Sequence, residues 1–241
     1  MARHEHVTPA IAIDILQTLA SDSVLGALPA DALQALAAGS RLEVQDRPAL
    51  LHAADEPLVW LRLVLAGHVE IVARHVSGDE VALGDIGPGG WVTWAGCLST
   101  DPMPYDLWSS AEARFIAIPA RAVRALCEQH PALYPRIIGA MGQRIRQLME
   151  WTGDSVLLGP EQRMAKLIHL LARLHGLGEA GGTLQVTQAR LARMARCSRQ
   201  SANLLLGALE ARGLIATAYG RFEIRDMKAL QAFIEADPTR A

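Results

Sequence analysis

Residues 187–210 read TQARLARMARCSRQSANLLLGALE, and the reading of this stretch decides the fold. It divides into two short amphipathic pieces around a break. In the first, Leu191, Met194 and Ala195 fall at helical spacing behind Thr187, whose hydroxyl suits an N-cap. In the second, Ala202, Leu205, Leu206 and Leu209 make one apolar stripe behind Ser198, a second candidate cap. Two short helices joined by a tight turn at Arg196-Cys197 are predicted to form a helix-turn-helix, its second helix placed to enter a DNA major groove. At ~100° per residue, Gln200, Asn203, Leu204 and Gly207 point away from the stripe, with Arg199 on its flank. Arg190, Arg193, Arg196 and Arg199 supply charge for phosphates and for a base contact.

Downstream, residues 214–218 and 221–224 are β-leaning runs on either side of Tyr219-Gly220, a turn signal, and Arg212-Gly213 gives a helix stop before them. A helix-turn-helix followed by a two-stranded wing is a winged helix. Upstream, residues 161–175 read as an amphipathic helix that leads through a glycine-rich loop at 176–182 into the motif. Gly159-Pro160 ends a longer helix before that, and along it Tyr134, Ile138, Met141, Ile145, Leu148, Thr152 and Ser155 alternate steps of four and three. Such a heptad seam predicts a dimer helix, its core taken from Ile138, Met141, Ile145, Leu148 and Thr152. A helix packed on its own domain is the competing explanation.

The front of the chain has another texture. Residues 8–20 and 29–38 read as short helices. From Arg41 to Pro119 the sequence is a series of short β-rich runs, WVTWAG (91–96) among them, separated by glycines and prolines such as Gly87-Pro88-Gly89-Gly90. Strands at this spacing predict an antiparallel sandwich, barrel or jelly roll over roughly 41–118. The expected fold class is therefore α+β. The division is a β-rich domain with N-terminal helices over 1–118, a hinge and dimer helix over 119–159, and a winged helix over 160–241.

Charge follows the same division. Residues 1–159 hold 11 Lys/Arg against 18 Asp/Glu, and residues 160–241 hold 12 against 7, so an acidic front is joined to a basic back. That asymmetry fits a DNA-binding part fused to one that does not bind DNA. No uninterrupted apolar run approaches the ~20 residues needed to cross a bilayer. The first twenty residues contain Glu5 and Asp14 and lack a signal-peptide pattern, so a cytoplasmic protein without membrane contact is expected. Cys97, Cys127 and Cys197 are too widely spread for a disulfide framework or a zinc knuckle.

In its order of small helices, β-roll, long helix and winged helix, the chain closely resembles the Crp–Fnr family of bacterial transcription regulators. The residues that carry the likeness are VLAGHVEI (64–71), Pro88-Gly89 and above all CSRQSANLLLGALEARGLI (197–215). The resemblance implies an effector-sensing β-roll, paired long helices in a homodimer, recognition helices that read a palindrome in double-stranded DNA, and RNA polymerase as a protein partner. It assigns DNA contacts to Thr187, Gln188, Arg196, Ser198, Arg199, Gln200, Asn203 and Leu204. Thr187 and Ser198 would bond phosphates, and Arg199 would read a guanine. Gln200 stands where many members have glutamate, and an amide pairs better with adenine than with cytosine. Leu204 stands where the cyclic-AMP receptor has a second base-reading arginine and offers apolar contact alone.

The sensor departs from the cyclic-AMP receptor group. Trp94 stands where that group has a ribose-binding glutamate, Met103-Pro104-Tyr105 cover its phosphate-binding arginine and serine, and Leu148 and Met149 replace the polar pair that holds the base. Without the cation a cyclic phosphate would be an unpaired anion, so cyclic AMP in the usual pose is not expected. Trp91, Trp94, Tyr105 and Trp108, with Leu148 and Met149, form instead an aromatic and apolar candidate pocket. It suits a hydrophobic effector or haem, or is filled by its own side chains. His4, His6, His68, His75 and Met149 are the conceivable haem ligands, none at a spacing that singles it out. No cysteine precedes Cys97, which excludes the family's N-terminal iron–sulfur cluster, and Cys97 is either a thiol sensor or inert core. No nucleophile–base pattern, metal-ligand spacing or phosphate loop is present, so no catalytic residue, metal site or enzyme activity is expected. A sensing module that works through protein partners is the alternative to a DNA reader.

Overall fold

The computed structural model describes all residues except 1–2, 6–8, 75–79, 100, 175, 196, 219 and 237–241, and describes the backbone but not the side chains of 3–5, 9–10, 151, 155 and 174. It divides into two compact units, Met1–Gln147 and Leu148–Ala241.

The first unit opens with β1 (Arg3–Glu5), α1 (Pro9–Ser21), a short 3-10 turn and α2 (Ala30–Ala38). Then come β2 (Arg41–Gln45), β3 (Ala49–His52), β4 (Trp60–Ala66), β5 (Val69–Arg74), β6 (Glu80–Ile86) and β7 (Trp91–Val92). They are followed by α3 (Trp94–Leu98), β8 (Asp106–Ser109), β9 (Ala113–Pro119), α4 (Ala120–Gln129) and α5 (Leu133–Leu157). One sheet has the order β1-β2-β9-β4-β7 and the other β3-β8-β5-β6, each with antiparallel pairing throughout. The near-continuous apolar runs of β4 and β9 are central in the first sheet, and Leu61, Val64, Phe115 and Ile118 are fully buried. They share one core with Leu107 of β8, Leu19 of α1, Val123 of α4 and Ile137 of α5. The expected β-roll is thus present. At the β4–β5 turn Gly67 has φ +73°, and a side chain there would meet the Ala113 Cα at 2.8 Å, so only glycine fits.

The run WVTWAG is the local correction. It was expected as a strand, but only Trp91-Val92 pair with β4, and Thr93 then caps α3 by accepting from the Gly96 N–H at 3.2 Å. Thr93, in extended backbone before the five residues of α3, is an N-cap, and that local bond wins over the β-leaning composition.

A buried ion pair ties the first sheet together. Glu43 on β2 and Arg62 on β4 flank β9 and meet at 2.7 Å, 1% and 6% exposed, while Arg41 also reaches Glu43 and stacks 3.7 Å over the Trp60 ring. Burial by itself raises the Glu43 pKa, but Arg62 and then Arg41 outweigh it and hold the carboxyl below its usual range. His52, at the end of β3, is held below the usual histidine value by burial and by Arg62, against Glu56 and Asp106. Both shifts act in one direction, since the unfolded chain binds the proton more readily in each case. Stability should therefore fall as pH drops below the ordinary histidine value, and fall further as Glu43 is titrated below the ordinary carboxylate value. Chemical denaturation at stepped pH measures this. In Glu43→Gln the acid step below the carboxylate range should shrink, with a loss at neutral pH of about 3–5 kcal/mol from the uncompensated Arg62.

The second unit contains the end of α5, α6 (Pro160–Leu174), β10 (Gly182–Leu184), α7 (Gln188–Met194) and α8 (Arg199–Ala211). It closes with β11 (Ile215–Ala218), β12 (Arg221–Ile224) and α9 (Met227–Glu235). The wing is a sheet of order β10-β12-β11, one strand more than the expected hairpin. The Tyr219 half of the wing's turn lies outside the described residues. Fully buried Met164, Ile168, Leu206, Leu209, Phe222 and Leu230 bring α6, α8, the wing and α9 onto one core. No helix among the described residues is long and apolar enough to cross a membrane.

Candidate nucleic-acid interface and sensor

The helix-turn-helix forms as its sequence pattern requires. Thr187 and Ser198 cap their helices, their hydroxyls accepting from the Arg190 N–H at 3.2 Å and the Ser201 N–H at 3.0 Å. Both residues lie at the protein surface, and accepting a cap bond leaves the Thr187 hydroxyl proton free for another acceptor. The turn closes through a bond from the Cys197 N–H to the Ala192 carbonyl at 3.0 Å, and Arg196 lies outside the described residues. On α8 the stripe Ala202, Leu206 and Leu209 is buried, with Leu205 half-buried. Arg199, Gln200, Asn203, Leu204 and Gly207 are exposed, Leu204 by 72%, and Gln188 is half-buried. One expectation is corrected: Arg190 is only 6% exposed, packed with Leu191 and Met194 on the inner face of α7, and is not available to a phosphate.

The recognition helix and its neighbours are braced at their ends. Glu210, in the last turn of α8, accepts from the Thr217 N–H at 2.8 Å on β11, a bond that holds its carboxyl below the usual range. Gln162, 7% exposed at the start of α6, accepts from the Gly159 N–H and donates to the Phe233, Ile234 and Ala236 carbonyls, which closes the open end of α9. Sequence reading missed this clasp because α9 was not read, although Asp226 before Met227, Leu230 and Ile234 is a cap followed by helical spacing.

In the sensor, the structure brings two of the four aromatic residues together. The Trp91 and Trp94 rings lie 5.0 Å apart, and the Trp91 N–H donates to Asp22 at 3.0 Å. Trp94 is 5% exposed within the core, and its indole N–H reaches no acceptor among the described residues. Met103, 9% exposed, belongs to the same core, its sulfur accepting from the Thr93 hydroxyl at 3.3 Å. Trp108, half-buried on β8, pairs across the other sheet with Leu50 and Glu70, and Tyr105 is 37% exposed. Leu148 and Met149 on α5 are 41% and 67% exposed.

Helix α5 carries two faces. Leu133, Ile137, Ala140 and Met141 pack on the β-roll core, so the Met141 position of the predicted seam is turned inward. Arg144, missed in the sequence because a lone helical arginine carries no signal, donates to the Asp85 carbonyl at 3.2 Å over Gly84, where a Cβ would stand 2.6 Å from the guanidinium. The rest of the seam is open: Tyr134, Ile138, Ile145 and Leu148 are 39%, 65%, 57% and 41% exposed, and Thr152 is exposed. The Ser155 side chain lies outside the described set.

Two family models match these two units. The Crp-like helix-turn-helix domain covers residues 162–233, and the cyclic nucleotide-binding domain covers residues 47–130. This chain belongs to the Crp–Fnr family. It is 25% identical over 166 residues to the CRP-like cAMP-activated global transcriptional regulator of Mycobacterium tuberculosis, covering 68% of this chain and 74% of that one. To the CRP-like protein Clp of Xanthomonas euvesicatoria it is 27% identical over 212 residues, covering 82% and 92%. A solved CRP/FNR-family transcriptional regulator from Thermus thermophilus shares the fold with TM-score 0.65 at 19% identity, covering 82% of this chain and 98% of that one. The family is one of DNA-binding transcription regulators, not of enzymes.

The cysteines separate by environment. Burial pushes the Cys97 thiol up to about 12, against the pull of Arg124, and also raises Cys127 and, less enclosed, Cys197. Cys97 and Cys127 are fully buried and Cys197 half-buried. Of the two readings of Cys97, inert core is the one this environment supports. Maleimide labelling of the native protein, mapped by mass spectrometry, should mark Cys197 first and reach Cys97 and Cys127 only after unfolding. Rapid native labelling of Cys97 would show the α3–α4 packing to be wrong. Among the described residues no cluster of His, Cys, Asp and Glu is placed to hold a metal ion. Of the conceivable haem ligands, His6 and His75 lie outside the described residues, as does the His4 side chain, and His68 is half-buried.

Proposed function

We propose that this regulator works as a homodimer that reads a two-fold symmetric operator through α8, with residues 1–118 sensing, 119–159 pairing the subunits and 160–241 reading DNA. The observation that carries the proposal is the exposed face of α8. Arg199, Gln200 and Asn203 stand on it with no hydrogen bond or ion pair to another described residue. Polar side chains left uncommitted on the outer face of a capped second helix suit base edges in a major groove. Pairing through the open seam of α5 would set the separation of two recognition helices, which must meet successive grooves about 34 Å apart. A change of packing along α5 would then switch affinity.

Cyclic AMP in the family's usual pose does not fit the sensor. Trp94, in the place of the ribose-binding carboxylate, is part of the core, and Pro104 and Tyr105 supply no cation for the phosphate. The Mycobacterium tuberculosis relative is named as cAMP-activated, and that activation does not carry over to these residues. The burial of Trp94 and Met103 favours a second reading of the sensor, in which its own side chains fill the pocket and the free dimer already binds DNA.

Selection of random duplex DNA by the purified protein, without effector and with cyclic AMP, tests both. A two-fold symmetric motif without effector supports the constitutive dimer. A motif that appears only with cyclic AMP overturns the account of the sensor, and no motif in either arm overturns DNA reading by α8.

A further inference from the structure

Beyond β3 the chain runs as an irregular segment, residues 53–58, tied to the residues before β8 by three hydrogen bonds. The Ala54 N–H donates to the Asp106 carboxylate at 2.7 Å, the Asp55 N–H to the Met103 carbonyl at 2.7 Å, and the Met103 N–H to the Glu56 carbonyl at 3.4 Å. Asp55 has φ +63°, a left-handed conformation that a side chain disfavours. Met103 is thus held from the segment's side. On its other side its sulfur accepts from the Thr93 hydroxyl and packs on Gly96 of α3, where a Cβ would collide with it. That same turn carries Trp94, whose ring meets Trp91. A row of contacts therefore runs from the segment to the aromatic pair.

His52 stands at the root of the segment. It is the last residue of β3 and pairs with Leu107 after a shift of register from Leu50. Its side chain is 7% exposed, and its Nε2 reaches no hydrogen-bond partner among the described residues. The charged ring would carry a proton on that nitrogen, a donor enclosed without an acceptor. Burial disfavours the charge first. Glu56 of the segment and Asp106 of β8 attract it, and Arg62 of β4 repels it. The flanking charges are already paired, Arg62 with Glu43 of β2 and Asp106 with Arg74 of β5. A proton is accommodated only when the ring turns out to water, where Glu56 is exposed beside it in the chain.

We propose that residues 53–58 are an acid-released latch on the core of the β-roll: proton uptake at His52 detaches the segment from Asp106 and Met103 and lets Met103 leave the turn of α3. The latch does not depend on how α8 reads DNA. The open form binds the proton more readily than the closed one, so closure is complete above the ordinary histidine value and is lost as pH falls through it. One linked proton shifts the balance by up to about tenfold per pH unit. At neutral pH the core is filled by its own side chains, and in acid the Trp91–Trp94 pair becomes accessible from outside.

Hydrogen exchange of the full-length protein, followed by mass spectrometry from about pH 7.5 to about pH 5.5 and corrected for intrinsic exchange rates, tests this. Peptides over 53–58 and 101–106 should lose protection by up to about tenfold per pH unit below the ordinary histidine value, while β4 and β9 keep theirs. In His52→Gln the same peptides should show no such dependence. Equal dependence in His52→Gln, no loss in the wild type, or a loss shared evenly with β4 and β9 overturns the latch. The wild-type protein supplies a second arm that needs no variant, the nuclear magnetic resonance of the His52 ring. Its protonation should coincide with the loss of protection, and a ring that is protonated while 53–58 stay protected overturns the proposal.

Discussion

Arg199→Ala should lower affinity for the selected operator by about two orders of magnitude and leave the melting temperature almost unmoved. A bidentate guanidinium–guanine contact is worth about 1–3 kcal/mol of discrimination, and in a two-fold complex it is lost twice. Arg199 is exposed and makes no hydrogen bond or ion pair with another described residue, so its removal leaves no buried group uncompensated. Arg199→Lys separates base reading from mere charge. Lysine keeps the positive charge but loses the planar fork, so it should behave nearly as badly as alanine on the operator and close to wild type on random DNA. Fluorescence anisotropy at several salt concentrations measures all three proteins. An operator affinity of Arg199→Ala within a few-fold of wild type would remove α8 from the reading of DNA and favour a winged helix that works through protein partners.

The parts of this molecule written in local chemistry are the parts the sequence discloses. Thr187 and Ser198 are caps, Ala202, Leu206 and Leu209 keep helical period, and the structure returns each of them where the spacing puts it. The β-roll is equally legible, because the strand runs of β4 and β9 are apolar over most of their length. Failures occur where a short-range bond or a distant partner decides. Thr93 turns an apparent strand into α3, and β10 is three residues long, too short for any period to be seen. The inward turn of Arg190 and the reach of Arg144 over Gly84 depend on what packs against them, and a charge in a helix pattern is read by default as solvated. The aromatic pocket shows the same limit. Four large rings close in sequence invite one site, but they stand on β7, on α3, just before β8 and on β8 of the other sheet, and among the described residues Trp91 and Trp94 are the pair whose rings meet.

Ile145→Glu should convert the protein to a monomer and with it abolish tight operator binding. One face of α5 is committed to the β-roll through Leu133, Ile137, Ala140 and Arg144, so the helix is anchored without its second face. That second face leaves Ile138 and Ile145 65% and 57% exposed, with Leu148 and Thr152 continuing the heptad steps. Burying one such isoleucine side chain is worth about 1.5–3 kcal/mol, and a symmetric interface buries each position twice. In a parallel pair of helices a seam position lies against its own copy, so the variant would also set two carboxylates together in a desolvated interface. Because Ile145 is open to solvent in the single chain, the variant should keep its fold and its melting behaviour apart from the loss of the partner. Operator affinity should fall by about 10²–10⁴, since the second half-site is then no longer held at high effective concentration. Sedimentation velocity and anisotropy on full and half operators distinguish the outcomes. A variant that stays dimeric and binds the full operator as wild type does would place the dimer contact elsewhere than on α5.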